Sequence, residues 1–380
     1  MGEVANIPQL RFPEFSNEWE ESKVGKVFKV SAGGDIKTEN VSQIKTDGFP
    51  YPIYANAEKA KGLYGYSNLY KSEANVVTVA GRGVNIGIAH VRLEPFYPIV
   101  RLLVLNPIKD ADVKFWENQL NQLNLFVEST GVPQLTAPQI SSYKVKYPSK
   151  PEQQKIAAFL TAVDNKIEQL SKKQELLGEY KKGLMQQIFS QAIRFKADDG
   201  SDFPDWEEKK LGDVSDCLDN RRQPLNGAER NQMKGDIPYY GANGIVDYVN
   251  DYIFDEELVL LAEDGGNFND FSSKPIAQKI SGKAWVNNHA HILKAKNIIA
   301  TDFLFYSLVH KDIRRYIVGG SRAKLNKSDL LSIKTILPPL EEQTKIANFL
   351  SSIDNKIEQV GKQLVESKQF KKALLQQMFV

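Results

Sequence analysis

Residues 148–190, PSKPEQQKIAAFLTAVDNKIEQLSKKQELLGEYKKGLMQQIFS, align without a gap to residues 338–380, PPLEEQTKIANFLSSIDNKIEQVGKQLVESKQFKKALLQQMFV. Roughly half of the positions are identical, among them the hexapeptide DNKIEQ at 164–169 and 354–359, so the chain carries an internal duplication. Each copy has apolar residues at alternating steps of four and three. The first runs Ile156, Leu160, Val163, Ile167, Leu170, Leu177, Leu184 and Ile188, with Gln174 and Lys181 in the skipped slots. The second runs Ile346, Leu350, Ile353, Ile357, Val360, Leu364, Leu374 and Met378, interrupted by Ser367 and Lys371. That is the seam of a coiled coil. Pro151 and Glu152, and Pro339 and Glu341, suit a first helical turn. Gly178 and Gly183 would each cost about 1 kcal/mol inside a helix.

The segments between the helices echo one another more faintly. Trp19 and Gly25 match Trp206 and Gly212; PYPIYANA (50–57) matches IPYYGANG (237–244); VVTVAGRGVNIG (76–87) matches LVLLAEDGGNFN (258–269); STGVPQLTAPQI (129–140) matches GGSRAKLNKSDL (319–330). The order is a globular region at 1–147, a helix at 148–192, a second globular region at 193–337 and a second helix at 338–380. NVVTVAG and ELVLLAE read as buried strands ending in glycine turns, and VKFWENQLNQLNLFVES and TDFLFYSLVHKDIRRYI as one amphipathic helix each. The class is α+β: two globular α/β regions separated by two long helices that form an antiparallel coiled coil, with a pseudo-twofold internal repeat. A helix of about 38 residues is roughly 57 Å long, which predicts a globular region at each end of a rod.

The 380 residues exceed one ordinary core and predict about two or three domains. Apolar residues at 42% and charged residues at 25% exclude a disordered chain, and no apolar run approaches the roughly 20 residues of a membrane span. With no signal-peptide pattern at its start, the chain is expected to be cytoplasmic. The single cysteine, Cys217, excludes an internal disulfide and a cysteine-rich zinc site. A net charge of +2 gives none of the basic excess that often marks nucleic-acid binders.

Catalytic signatures are missing. LPPL (337–340) lacks the polar and aromatic residues that an adenine methyltransferase needs around its prolines, and GRGVNIG has neither the spacing nor the lysine of a phosphate-binding loop. PDWEEKK (204–210) holds nuclease-like letters but places its acids too close together, and reads as a surface turn. NNHAH (287–291) has two histidines and no evident third ligand, which favours a structural or DNA-facing histidine over a metal site, and no metal is expected.

Polar loops are more informative. The matched segments put Tyr54 and Asn56, and Tyr240 and Asn243, on tight turns. Glycine loops carry Arg82 and Asn85 in one region, and Asn267 and Asn269 in the other. A third pair of loops presents Thr130 and Gln134, and Ser321, Arg322 and Lys324. Arg, Lys, Asn and Gln are the side chains that read base edges, and hydroxyls and amides position phosphates.

With its two EQxKIAxFL…DNKIEQ helices, the LRFPEF…EW opening and NNHAH, the chain resembles over essentially its full length the specificity subunit of type I restriction–modification systems. The resemblance implies a non-catalytic, DNA-binding chain with two target-recognition domains, one for each half of a bipartite double-stranded target. It implies two modification subunits, which use S-adenosylmethionine to methylate adenine N6, and two restriction subunits, which use ATP and magnesium; the system serves DNA methylation and phage defence. No cofactor is expected in this chain and no membrane among its partners. The acidic EDGG segment stands where the first region has GRG, so Arg82 has no counterpart. An enzyme, or a coiled-coil adaptor between proteins without direct DNA contact, are the competing readings.

Overall fold

The computed structural model describes residues 6–57, 59–123, 125, 134–320 and 323–380. The chain divides into two compact units, Met1–Lys172 with Gly361–Val380, and Lys173–Val360. The two long helices, Lys150–Phe189 and Leu340–Met378, are shared between them. In the first unit Ile156, Ala157 and Leu160 share a core with Leu374 and Met378. In the second, Met185 and Ile188 share a core with Ile346 and Leu350. The beginning of each helix meets the end of the other, so the pair is antiparallel.

The expected seam is the buried face. Ile156, Leu160, Leu170, Ile346, Leu350, Ile353 and Val360 are buried, while Val163, Ile167 and Ile357 are half-buried. Leu184 is also only half-buried, and its neighbour Met185 enters the core instead. A straight helix drifts by about 20° per heptad against a strict seven-residue repeat, which moves the contact by about one position over four heptads.

The polar slots explain the repeated hexapeptide. Lys181 Nζ lies 2.5 Å from Asp354 Oδ1 in the second unit, and Lys371 Nζ lies 2.6 Å from Asp164 Oδ1 in the first. These are the same pair made twice, because Lys181 and Lys371 are equivalent, as are Asp164 and Asp354. Each is partly exposed and worth about 0.2–1 kcal/mol. Sparse polar pairs in an apolar seam chiefly define which residues face each other.

The helix starts are held differently. Glu152 and Glu342 are 1% and 0% exposed. Arg11 donates through Nε and Nη2 to the two oxygens of Glu152, both at 2.7 Å, and Trp19 Nε1 donates to the same carboxylate. Arg194 repeats the fork on Glu342 at 2.8 and 2.9 Å, and Trp206 Nε1 donates at 2.9 Å. The adjacent glutamines, Gln153 and Gln343, are buried too. Their amides donate to the carbonyls of Pro148 and Pro338, and their oxygens accept from the backbone N–H of Asp112 and Ala300. The repeated Glu-Gln pair thus ties each long helix to the globular region that precedes it.

Those globular regions are built alike. The first has a four-stranded antiparallel sheet in the order Phe28–Ala32, Leu103–Pro107, Val76–Val79, Ala89–Arg92. The second has Ser215–Cys217, Ala290–Ala295, Leu258–Ala262, Ala277–Ile280. The central strands, Val76–Val79 and Leu258–Ala262, are buried throughout, as their uninterrupted apolar runs require. A second four-stranded sheet in each unit contains one parallel pair, Tyr51–Tyr54 with Tyr97–Pro98 and Lys234–Gly241 with Lys283–Val286. Glu207–Lys210 is not a surface turn: it pairs antiparallel with Lys334–Leu337, as Glu20–Lys23 does with Lys144–Tyr147. The amphipathic helices are shorter than their apolar segments suggest, Val113–Asn121 and Thr301–Leu308. Asn121 ends the first by bonding both the N–H and the carbonyl of Ala89. Among the described residues no helix is long and apolar enough to cross a membrane.

Two sets of variants separate these contributions, read by thermal and urea denaturation. Leu350→Ala should cost about 2–5 kcal/mol through the cavity it leaves. Glu342→Ala should cost about 1–3 kcal/mol, by removing the carboxylate that accepts from Trp206 Nε1 and from Arg194, which keeps the Pro204 carbonyl. Asp354→Asn should cost less than about 1 kcal/mol, because an amide still accepts from Tyr306 Oη, now 2.6 Å away. A Cβ built on Gly183 meets nothing within 4 Å, so Gly183→Ala should stabilise the chain by about 1 kcal/mol.

Candidate nucleic-acid interface

In the first unit three loops meet at Gly81. A Cβ there would lie 2.9 Å from the carbonyl oxygen of Arg101 and 3.0 Å from that of Leu135, so only glycine allows the approach. Asn56 braces the junction: its Oδ1 accepts from Gly81 N–H at 2.9 Å and its Nδ2 donates to Val100 O at 2.5 Å. Arg82, the next residue, donates through Nη2 to Gln134 Oε1 at 3.0 Å, and the two residues also form a backbone bridge. The third loop turns through Val100 and Arg101, at φ +52° and +59°. Two successive non-glycine residues in the left-handed region cost of order 1–2 kcal/mol each, and the brace holds them there.

The second unit repeats this junction with other side chains. Leu325 N–H donates to Glu263 O, as Leu135 N–H does to Gly81 O, and Asp264 bridges Lys324 as Arg82 bridges Gln134. Asp264 therefore occupies the place of Arg82, and the charge at that point is inverted. Asn243, exposed at the turn between Lys234–Gly241 and Gly244–Val249, donates to Gly265 O at 2.8 Å. Lys324 Nζ lies 3.1 Å from Glu263. Asn243, Asp264, Asn287 and His289 line a cleft of about 700 Å³.

The other candidates are placed less favourably. Tyr54 and Tyr240 lie on strands, not on tight turns, and both are half-buried. Tyr54 lies under the guanidinium of buried Arg92, 3.5 Å from the ring centre, and burial raises the pKa of the Tyr240 hydroxyl. Asn85 is half-buried beside a smaller cavity of about 200 Å³. Asn267 is tied back to Pro275 O, and Asn269 is exposed. Thr130, Ser321 and Arg322 lie outside the described residues. No motif singles out Arg101, and Asp264 stands out in the sequence only as a departure from the first copy.

NNHAH splits into two roles. His289 is exposed and its Nδ1 lies 2.5 Å from Asp264 Oδ1. His291 is 1% exposed, with Nδ1 2.6 Å from Asp219 Oδ2 and Nε2 2.8 Å from Leu325 O. A ligand group that the sequence motifs do not reveal forms here, since Cys217, Asp219 and His291 converge within 4.8 Å. Both ring nitrogens of His291 face oxygen acceptors, however, which calls for two N–H donors and leaves no lone pair for an ion. Burial opposes the charge on His291, but Asp219 and the Leu325 carbonyl outweigh it and raise the pKa to about 9. Arg222, Glu263 and Lys324 complete this partly buried charge network. The folded-state pKa lies above the ordinary 6.5, so the stabilisation is complete below 6.5 and disappears as pH rises through about 9. Thermal midpoints should fall across that window in the native chain, and His291→Gln should remove this component of the fall.

Comparison with known proteins agrees with this duplicated arrangement. The family model for the type I restriction modification DNA specificity domain matches twice, at residues 16–177 and 204–367. A candidate type I restriction enzyme specificity subunit from Haemophilus influenzae is 38% identical over 148 residues, 39% of this chain and 37% of that protein. The type I restriction enzyme MjaVIII specificity subunit from Methanocaldococcus jannaschii is 28% identical over 313 residues, 73% of this chain and 71% of that one. The crystal structure of a type I restriction-modification S subunit from M. genitalium superposes with a TM-score of 0.69 at 18% identity, over 98% of this chain and 99% of that one. With the family model recurring in both halves, the chain belongs to the type I restriction modification DNA specificity family.

Proposed function

We propose that this chain is the DNA-recognition subunit of a type I restriction–modification complex, and that each unit reads one half of a bipartite duplex target. The observation that carries this is a loop junction built twice, with the same backbone bonds between two of its loops, Gly81–Arg82 with Gln134–Leu135 and Glu263–Asp264 with Lys324–Leu325, but with different exposed chemistry. A shared frame suits a shared ligand, the duplex, and different side chains suit two different half-sites. With a net charge of +2, much of the attraction to phosphate falls to partner subunits.

The chain itself is non-catalytic on this reading. It scaffolds two modification subunits, which bring S-adenosylmethionine and methylate adenine N6, and two restriction subunits, which bring ATP and magnesium. Tyr180 and Phe370 support the scaffold role. They sit at equivalent positions of the two long helices, 55% and 54% exposed, on faces suited to a protein partner.

The adenine-methylation pattern of host DNA, with the chain intact and deleted, tests the reading: a bipartite motif should vanish on deletion. In the complex with its modification partners, Asn56→Ala should loosen the first junction and weaken recognition of one half-site by roughly tenfold, about 1.4 kcal/mol. Asn243→Ala should act on the other half-site only. A change in both half-sites, or in neither, from either variant would reject the assignment of one junction to each half-site.

A further inference from the structure

The strand registers identify a pair of equivalent residues that lack any local sequence similarity. Leu103 pairs with Val79, and His291 with Leu261, on matching strands. Two residues earlier in each chain segment stand Arg101 and His289. Both are exposed, both follow the short parallel strand of the second sheet, and both adjoin the three-loop junction. The guanidinium of Arg101 has no side-chain partner among the described residues. Its backbone is held in the left-handed region, with the preceding Val100 carbonyl pinned by Asn56. His289 is oriented through Nδ1 by Asp264, and Nε2 is its remaining ring nitrogen.

Resting on the reading of the chain as a DNA-recognition subunit, we propose that Arg101 and His289 are the base-reading residues of the two junctions, and that Arg101 reads a guanine in the half-site of the first unit. Arginine presents only N–H donors in a planar fork, and the guanine edge offers two acceptors, O6 and N7, side by side in the major groove. Adenine presents one donor and one acceptor there, so it satisfies the fork less well. His289 offers one ring nitrogen beside a carboxylate, a set richer in acceptors, which cannot make the same contact. The exchange of Arg82 for Asp264 at the neighbouring position runs in the same direction, from donor to acceptor. Asn56 touches neither base in this scheme; it is a positioning residue for the Arg101 turn.

The test uses the chain assembled with its modification partners and a plasmid library with both half-sites randomised, reading adenine methylation by sequencing. The variants are Arg101→Gln and His289→Gln, and the untouched half-site in each serves as the control for folding and assembly. Arg101→Gln should lower discrimination by about 10- to 100-fold at one position of one half-site, a G·C pair in the native motif, leaving the rest of the motif as it was. His289→Gln should relax one position in the other half-site. An unchanged motif, uniform weakening across all sequences as a phosphate contact would give, or a relaxed position that is not G·C for Arg101 overturns the proposal. A native complex that shows no bipartite preference at all overturns the DNA-recognition reading beneath it, a result distinct from the others.

Discussion

Each unit depends on a carboxylate that has been taken out of water. Glu152 and Glu342 sit at the start of a long helix, essentially without solvent exposure, and each is met by an arginine fork and an indole N–H. A buried charge is tolerable only when its oxygens are satisfied, so the segment carrying the arginine and tryptophan must lie against the helix start. The neighbouring glutamine extends the tie to the helix that follows the central sheet. Once these bonds are made, the helix start, the sheet and the N-terminal segment of each unit form one packed body. The sheet then delivers its loops to a common junction.

The helix pair adds register to this anchoring. Lys181 with Asp354, and Lys371 with Asp164, are partly exposed pairs of small energy, but each lysine interrupts an apolar row. A shift of one heptad would leave it facing Ala347 or Gly361 in one case and Ala157 or Ser171 in the other. The hexapeptide recurs because an antiparallel pair of like helices uses the same contact once from each side.

The helices, their antiparallel pairing and the glycine loops are legible in the sequence, because each leaves a short-range mark: a heptad row, a repeated motif, or a glycine where backbones converge. The matched pairs Gly81 with Glu263 and Gln134 with Lys324, aligned from faint similarity, carry equivalent backbone bonds. What the sequence hides is long-range or conformational. Nothing local shows that Arg101 adopts a left-handed turn, that Asn56 holds it, or that Asp219 lies 72 positions from the histidine it charges. The strand at Glu207–Lys210 reads as a turn because its four charged residues hide a two-stranded ribbon whose partner lies beyond position 330. Tyr54 and Tyr240 resemble recognition residues because tyrosine is amphipathic, yet their rings serve the cores of their sheets.

On the proposal that Arg101 reads a base, the turn at Val100 and Arg101 bears on the timing of binding. A flexible arginine loop loses conformational freedom when it docks, and that loss subtracts from affinity. Here the unfavourable backbone is adopted beforehand and maintained by the Asn56 amide together with backbone bonds from Val100 and Arg101 to the carbonyls of Gly34 and Gly33, so folding meets the cost and docking does not. A preorganised contact of this kind lengthens the residence time on a matching sequence far more than it speeds the encounter. A complex that samples many sites on a long duplex could then leave wrong ones quickly and linger on the right one.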